Sequence, residues 1–388
     1  MILGVNGIRL VRNRSGVARV IEALLDTFAR LDQPFDDIRV YTPEPLDASV
    51  RLPAIARNVV VSSWLPPSLW EQIALPLAHG SRDVLFCPSY VAPVLARCPT
   101  LLAHHGSYEG YAERGEVFRW WPRTKARVAY QLSTRCADVV TTVSQFSRAD
   151  MVRFYGIAAE RVHVVPNGVD TALFRPIDDA AMLSAWRIRK LGSDAPFLLY
   201  VGKPTRRRNL PALLEAFARL KHECRIEHKL VLIGTALPGT SFAAQVEELG
   251  LRDEVVAIPH APHTEIALAY NACGLMIYPS SYEGFGMPVL EAMACGAPVI
   301  ALDNTAFPEF AAGVAKLLPD ARVETLMAGI QSVLGDADLR QQMRQSGPAR
   351  AAAYDWRIVA RRYLDLLIPL ASSRPRRRKS ITPGSLSR

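Results

Sequence analysis

Short apolar runs recur along the whole chain, at residues 2–5, 38–41, 59–62, 84–87, 100–103, 139–143, 162–165, 197–201, 229–233, 255–258, 275–278 and 299–301. Segments with helical periodicity separate them. Runs this rich in valine, isoleucine and leucine do not alternate apolar with polar, so neither face can sit in water. They need cover above and below, and the intervening helices supply it, which makes the sheets parallel. A chain of 388 residues exceeds one ordinary core and fits two domains. The pattern of the second half resembles that of the first, as two doubly wound α/β domains require.

Composition narrows the class. An apolar content of 49% with 21% charged residues excludes a disordered chain. No apolar run reaches the roughly eighteen residues of a membrane span. The N-terminus opens on a strand pattern without a basic leader, so the expected location is cytoplasmic. Six cysteines (Cys87, Cys98, Cys136, Cys224, Cys273 and Cys295) contain no Cys-x-x-Cys pair and no histidine cluster accompanies them. They read as reduced, mostly buried thiols, and no metal is expected. The net charge is +9, and six basic residues follow Asp365 with no acid among them. Residues 371–388 cannot bury enough apolar surface to fold and are expected to form a disordered basic tail.

The most informative stretch is 276–301. It reads as a buried strand, a turn at Glu283-Gly284-Phe285-Gly286, a helix from Pro288 and a further strand from Pro298. Proline suits a first helical position, where its missing N–H would be unpaired anyway. The glycines let the backbone approach a ligand, and the amides at the helix start, from Gly284 to Met287, form a phosphate site. Glu283 and Glu291 flank that turn. A carboxylate beside a phosphate site suits the hydroxyls of a ribose or sugar, from which it accepts hydrogen bonds.

Glu-Gly-Phe-Gly-Met-Pro-Val-Leu-Glu-Ala-Met-Ala-Cys-Gly-Ala-Pro-Val-Ile resembles the donor-site signature of family-four retaining glycosyltransferases. The resemblance implies the GT-B architecture, two Rossmann-like domains facing each other across a cleft. The expected division is 1–168 on the acceptor side, 169–355 for the nucleotide sugar, 356–370 as a helix crossing back, and then the tail.

Further positions carry over with the resemblance. Gly16, ending a strand-to-helix loop, matches a glycine-rich loop that approaches the donor phosphate or the acceptor. His105, directly before Gly106 at a strand end, matches better than His104 and is expected to touch sugar or acceptor. Gly202 ends another strand and leads to Lys203 and to Arg206-Arg207-Arg208. Arg208 stands where the family contacts the donor diphosphate, usually with lysine, so charge is kept while fork geometry changes. Glu291 is expected on the ribose, and Glu283 on the donor sugar or the developing cation.

The resemblance thus implies transfer of a sugar, mannose or glucose as first guesses, from a nucleotide diphosphate sugar to a saccharide or lipid-linked acceptor. No cofactor and no obligatory metal are expected, and bacterial surface polysaccharide or glycolipid assembly is the expected setting. A nucleotide-sugar epimerase of the same fold and a non-catalytic nucleotide-sugar-binding partner are the alternatives. Arg119-Trp120-Trp121 and the basic tail add an anionic membrane surface on the cytoplasmic side as an expected contact. No recognition module for nucleic acid accompanies that aromatic and basic stretch.

Overall fold

The structure, a computed structural model, describes residues 1–11, 16–78, 82–113, 120–236 and 239–373, with backbone only at 108, 112, 113 and 120–126. Readings that rest on Arg119, on the Trp120 and Trp121 side chains, and on 374–388 fall outside that description. Among the described residues are two fully parallel sheets. The first runs β3 (Ala56–Val60), β2 (Asp37–Thr42), β1 (Ile2–Asn6), β4 (Val84–Cys87), β5 (Thr100–His104), β6 (Val139–Thr142), β7 (Val162–Val164). The second runs β10 (Val255–Ile258), β9 (Lys229–Ile233), β8 (Phe197–Val201), β11 (Leu275–Tyr278), β12 (Val299–Leu302), β13 (Lys316–Leu318).

Strand β8 shows why the runs are apolar throughout. Phe197, Leu199 and Val201 enter one core and Leu198 and Tyr200 the opposite one, so both faces are covered. In each sheet the order reverses once, between β1 and β4 and between β8 and β11. Ligands of such sheets bind outside the strands' carboxyl ends at that reversal. In the second sheet it exposes the segments after Val201 and Tyr278, where Gly202–Arg208 and Glu283–Gly286 lie.

Several local expectations are corrected. The run at 59–62 is strand Ala56–Val60, because an edge strand half in water need not carry the apolar run. Strand β13 was not expected, since three residues led by Lys316 give no run to read. Among the described residues a helix begins at Gly16 and runs to Phe28, and the loop expected to end at Gly16 lies outside the described residues. The helix after the Gly284 turn is Met287–Ala294, with Gly286 as its N-cap and Pro288 second, not first. All six cysteines are free, but only Cys87, Cys273 and Cys295 are buried; Cys136 and Cys224 are exposed, so the thiols are not mostly buried.

The two lobes are linked twice. The segment at Val169 pairs with Asp355, Val169 N donating to the Tyr354 carbonyl at 2.9 Å and Trp356 N to the Val169 carbonyl at 3.2 Å. From there the helix Trp356–Ser372 packs on the first lobe, where Tyr363 meets Phe86 at 5.3 Å between ring centroids. Its Val359, Ala360, Tyr363, Leu364 and Leu367 are buried there, the larger aliphatic side chains at about 1.5–3 kcal/mol each. No helix among the described residues is long and apolar enough to cross a membrane.

Candidate active site

Beyond Val201 the chain enters Gly202 with φ +149, which a side chain rarely adopts, and a Cβ there would lie 2.4 Å from Arg208 Nη1. Glycine lets the arginine fold back against its own strand end. Arg206–Arg208 form one 3-10 turn. At three residues per turn, consecutive side chains leave in three directions. Arg206 faces solvent, while Arg207 and Arg208 reach the buried Glu283.

The Glu283 Oε1 atom accepts from Arg207 Nη1, from Arg208 Nε at 3.1 Å, from the Tyr278 hydroxyl at 2.8 Å and from Ser280 Oγ at 3.2 Å. All of these bonds fall on one oxygen of the carboxylate. Burial pushes the Glu283 carboxyl up, but the Arg208 and Arg207 charges outweigh it and hold it below the usual carboxylate range. It is ionised at neutral pH. Arg208 also lies over the Tyr278 ring and Arg207 over Tyr111.

The Gly284 turn is where the lobes meet. A Cβ at Gly284 would stand 2.2 Å from the His105 carbonyl oxygen, so only glycine permits this approach. Ser144 and Ser147 hydroxyls donate to the Gly284 carbonyl at 2.8 and 3.2 Å. Ser144 is also the N-cap of helix Gln145–Tyr155, accepting from Ser147 N at 3.0 Å. The Glu309 carboxylate arrives from the second lobe and accepts the Gln145 and Phe146 amides, both at 2.8 Å, where the helix dipole favours a negative charge. Beside them the Tyr282 hydroxyl donates to Asp150, and Ser107 Oγ donates to Asp150 at 2.8 Å.

Glu291 lies elsewhere in the cleft. Its Oε1 pairs at 2.5 Å with Arg19 of the helix Gly16–Phe28, and Tyr270 donates to Oε2 at 3.4 Å. A cavity of about 570 Å³ opens beside this pair, walled by Arg19, Met287, Glu291, His263 and the 168–174 link. Met287 Cε would be 3.1 Å from a Cβ on Gly16, so these two residues face each other across the cleft.

The structure therefore gathers Gly202, Arg208, Glu283 and Gly284, and separately Gly16, Met287 and Glu291. Lys203 is exposed, and its carbonyl rather than its side chain meets Arg208 at 3.1 Å. Phe285 stacks on Phe310 at 4.8 Å, so its side chain belongs to the second lobe's core. His105 is buried, its Nε2 donating to the Pro88 carbonyl at 2.8 Å, and burial holds its ring down to about 4. It is neutral at pH 7 and offers its main chain, not its imidazole, to Gly284.

Sequence reasoning named Arg207 only as a member of the arginine run and assigned no role to Arg19, Tyr282, Asp150 or Glu309. It also missed Glu71. That residue lies on a π-helical turn, Trp70–Ala74, and its Oε1 accepts from Asn6 Nδ2 at 2.8 Å at the end of β1. Burial raises its carboxyl from 4.5 to about 7, against the lowering effects of the Asn6 hydrogen bond and of Arg9. Between those two values the folded chain keeps a proton that the unfolded chain has lost. Stability should therefore fall as pH rises from 4.5 to about 7, by roughly 3 kcal/mol in all. Urea unfolding at both ends of that window, for wild type and Glu71→Gln, measures it; a slope that survives in the variant would assign the effect to another group.

Residues 186–350 match the profile described as Glycosyl transferases group 1, and residues 14–173 match Glycosyltransferase Family 4. The O-antigen chain mannosyltransferase B of Escherichia coli is 32% identical over 222 residues, 57% of this chain and 58% of that protein. The MMP alpha-(1->4)-mannosyltransferase of Mycolicibacterium hassiacum is 30% identical over 253 residues, 62% of this chain and 58% of that one. The chain thus spans 58% of the length of each of these curated relatives. The Anabaena HepE protein, solved with UDP-glucose, superposes with a TM-score of 0.75 at 19% identity, over 95% of this chain and 99% of its own. That likeness extends the two-lobe GT-B fold over nearly the whole molecule. With one profile on each lobe, and the two lobes meeting at the Gly284 turn, the chain belongs to the group 1 glycosyltransferases.

Proposed function

We propose that the protein moves a sugar from a nucleoside diphosphate sugar to an acceptor hydroxyl with retained anomeric configuration. The observation that carries this reading is the buried Arg207–Arg208–Glu283 cluster at the β8/β11 reversal, beneath the Gly284 turn. As the anomeric C–O bond breaks, its electron pair goes to the diphosphate oxygen. Arg208, Arg207 and the amides from Gly284 to Met287 stabilise that charge, and this step needs no metal. The acceptor oxygen attacks on the same face, and its proton passes to the departing phosphate oxygen. Glu283 holds the donor sugar or supports the developing cation, with His105 at the junction of sugar and acceptor. Glu291 takes the ribose hydroxyls at the cavity.

Mannose is the first candidate sugar, from the names of the two curated relatives, and glucose the second, from the UDP-glucose of the Anabaena protein. The acceptor is a saccharide or a lipid-linked saccharide, reached from the cytoplasmic side of the membrane. A thermal-shift screen of GDP-, UDP- and dTDP-sugars identifies the donor, because binding stabilises by mass action. With that donor, Glu291→Ala should weaken binding by about 1–3 kcal/mol, the cost of leaving ribose hydroxyls unpartnered. Equal shifts for wild type and variant would remove Glu291 from the donor site. Donor converted without any acceptor would point to an isomerase.

A further inference from the structure

The first lobe carries an apolar surface that the donor site does not use. A hollow of about 440 Å³ lies between three chain segments and is lined by Ser68, Gln72, Val91, Val94, Val128, Ala129 and Leu132. Its polar wall is already committed. Gln72 Nε2 donates to the Ala92 carbonyl at 3.0 Å, and Gln72 Oε1 accepts from Val94 N at 2.9 Å. Exposed aliphatic side chains stand on the same segments as the lining residues. Leu69, Ile73 and Leu77 follow Ser68 and Gln72 at helical spacing, Leu95 follows Val94, and Val128 and Leu132 sit one turn apart. Trp64, just ahead of the first wall, is 91% exposed. Large exposed apolar patches on a monomer mark contact surfaces, and these segments together expose Leu69, Ile73, Leu77, Leu95, Val128 and Leu132.

Charge decides what covers it. Arg97, Arg127 and Arg135 are exposed on the same segments, and the only acid within 58–78, 84–97 and 127–136 is Glu71, which is buried. A second copy of this face would set arginine against arginine, which costs affinity. An anionic surface with an apolar interior matches both features.

We propose that this face of the first lobe docks on an anionic lipid bilayer, with Leu69, Ile73, Leu77, Leu95, Val128 and Leu132 entering the headgroup–acyl boundary and the hollow taking a lipid chain. Interfacial binding of this kind combines buried apolar area with attraction to anionic headgroups. The inference rests on this surface alone and holds whether or not the acceptor is lipid-linked.

Co-sedimentation of the full chain with vesicles of phosphatidylcholine, alone or mixed with phosphatidylglycerol, tests it. Binding should need the anionic lipid. The pairs Leu69→Glu with Ile73→Glu, and Val128→Glu with Leu132→Glu, should each reduce it at least about tenfold, since the acyl region rejects charge. These positions are exposed, so an unchanged thermal midpoint checks folding. Each of Arg97→Ala, Arg127→Ala and Arg135→Ala should weaken binding about five-fold at low salt. Absence of binding to anionic vesicles would overturn the proposal. So would binding that survives both glutamate pairs but is lost on truncation after Ser373, which would assign the contact to the tail. A dimer in sedimentation equilibrium that the glutamate pairs dissolve would make the face a contact between copies instead.

Discussion

Glu283→Ala should lower stability by about 3–5 kcal/mol and stop turnover, because it strands two guanidinium groups that share one buried carboxylate. The side chains of Arg207 and Arg208 are only 12% and 15% exposed, so water cannot replace the lost partner. Tyr278 and Ser280 lose their acceptor as well. Glu283→Gln separates the two consequences. It keeps an acceptor for Tyr278 and removes the charge, so it should retain more stability than alanine while turnover stays low. Urea unfolding and initial rates on the identified donor measure both. A stability change below about 1 kcal/mol in Glu283→Ala would mean that the cluster is solvated after all.

Arg208→Ala should lower kcat by about 10²–10³-fold, or roughly 2.7–4 kcal/mol, with a smaller effect on KM. The interaction grows as charge collects on the leaving diphosphate, so its loss is felt in the transition state more than in the bound ground state. Arg206→Ala supplies the internal control, since that side chain faces solvent on the same turn. Steady-state kinetics of the two variants decide the matter. Equal, small effects would reduce the arginine run to surface charge, and a drop in binding alone would make Arg208 a ground-state contact.

The sequence by itself determined which segments become buried strands and which residues stand at their carboxyl ends. Covered parallel strands require unbroken apolar runs, so 197–201, 229–233 and 275–278 were read to the residue. It also determined the Gly202 strand end, where glycine is a local requirement of the backbone, and it located the Gly284 turn, although the approach of the His105 carbonyl that demands glycine there comes from the other lobe. Where water touches a strand that constraint relaxes, which is why β3 was misplaced and β13 missed. Tertiary structure alone decided partnership. Three successive arginines are equivalent in sequence, and only the docking of their turn against Tyr278 and Glu283 makes Arg207 and Arg208 buried and Arg206 exposed. Arg19 meets Glu291 across 272 positions of chain, and Glu309 meets the helix at Gln145 across 164. Contacts at such separation follow from how two lobes are set against each other, which no local pattern encodes. The apolar hollow is likewise assembled from three segments, each of which alone reads as ordinary helix or loop.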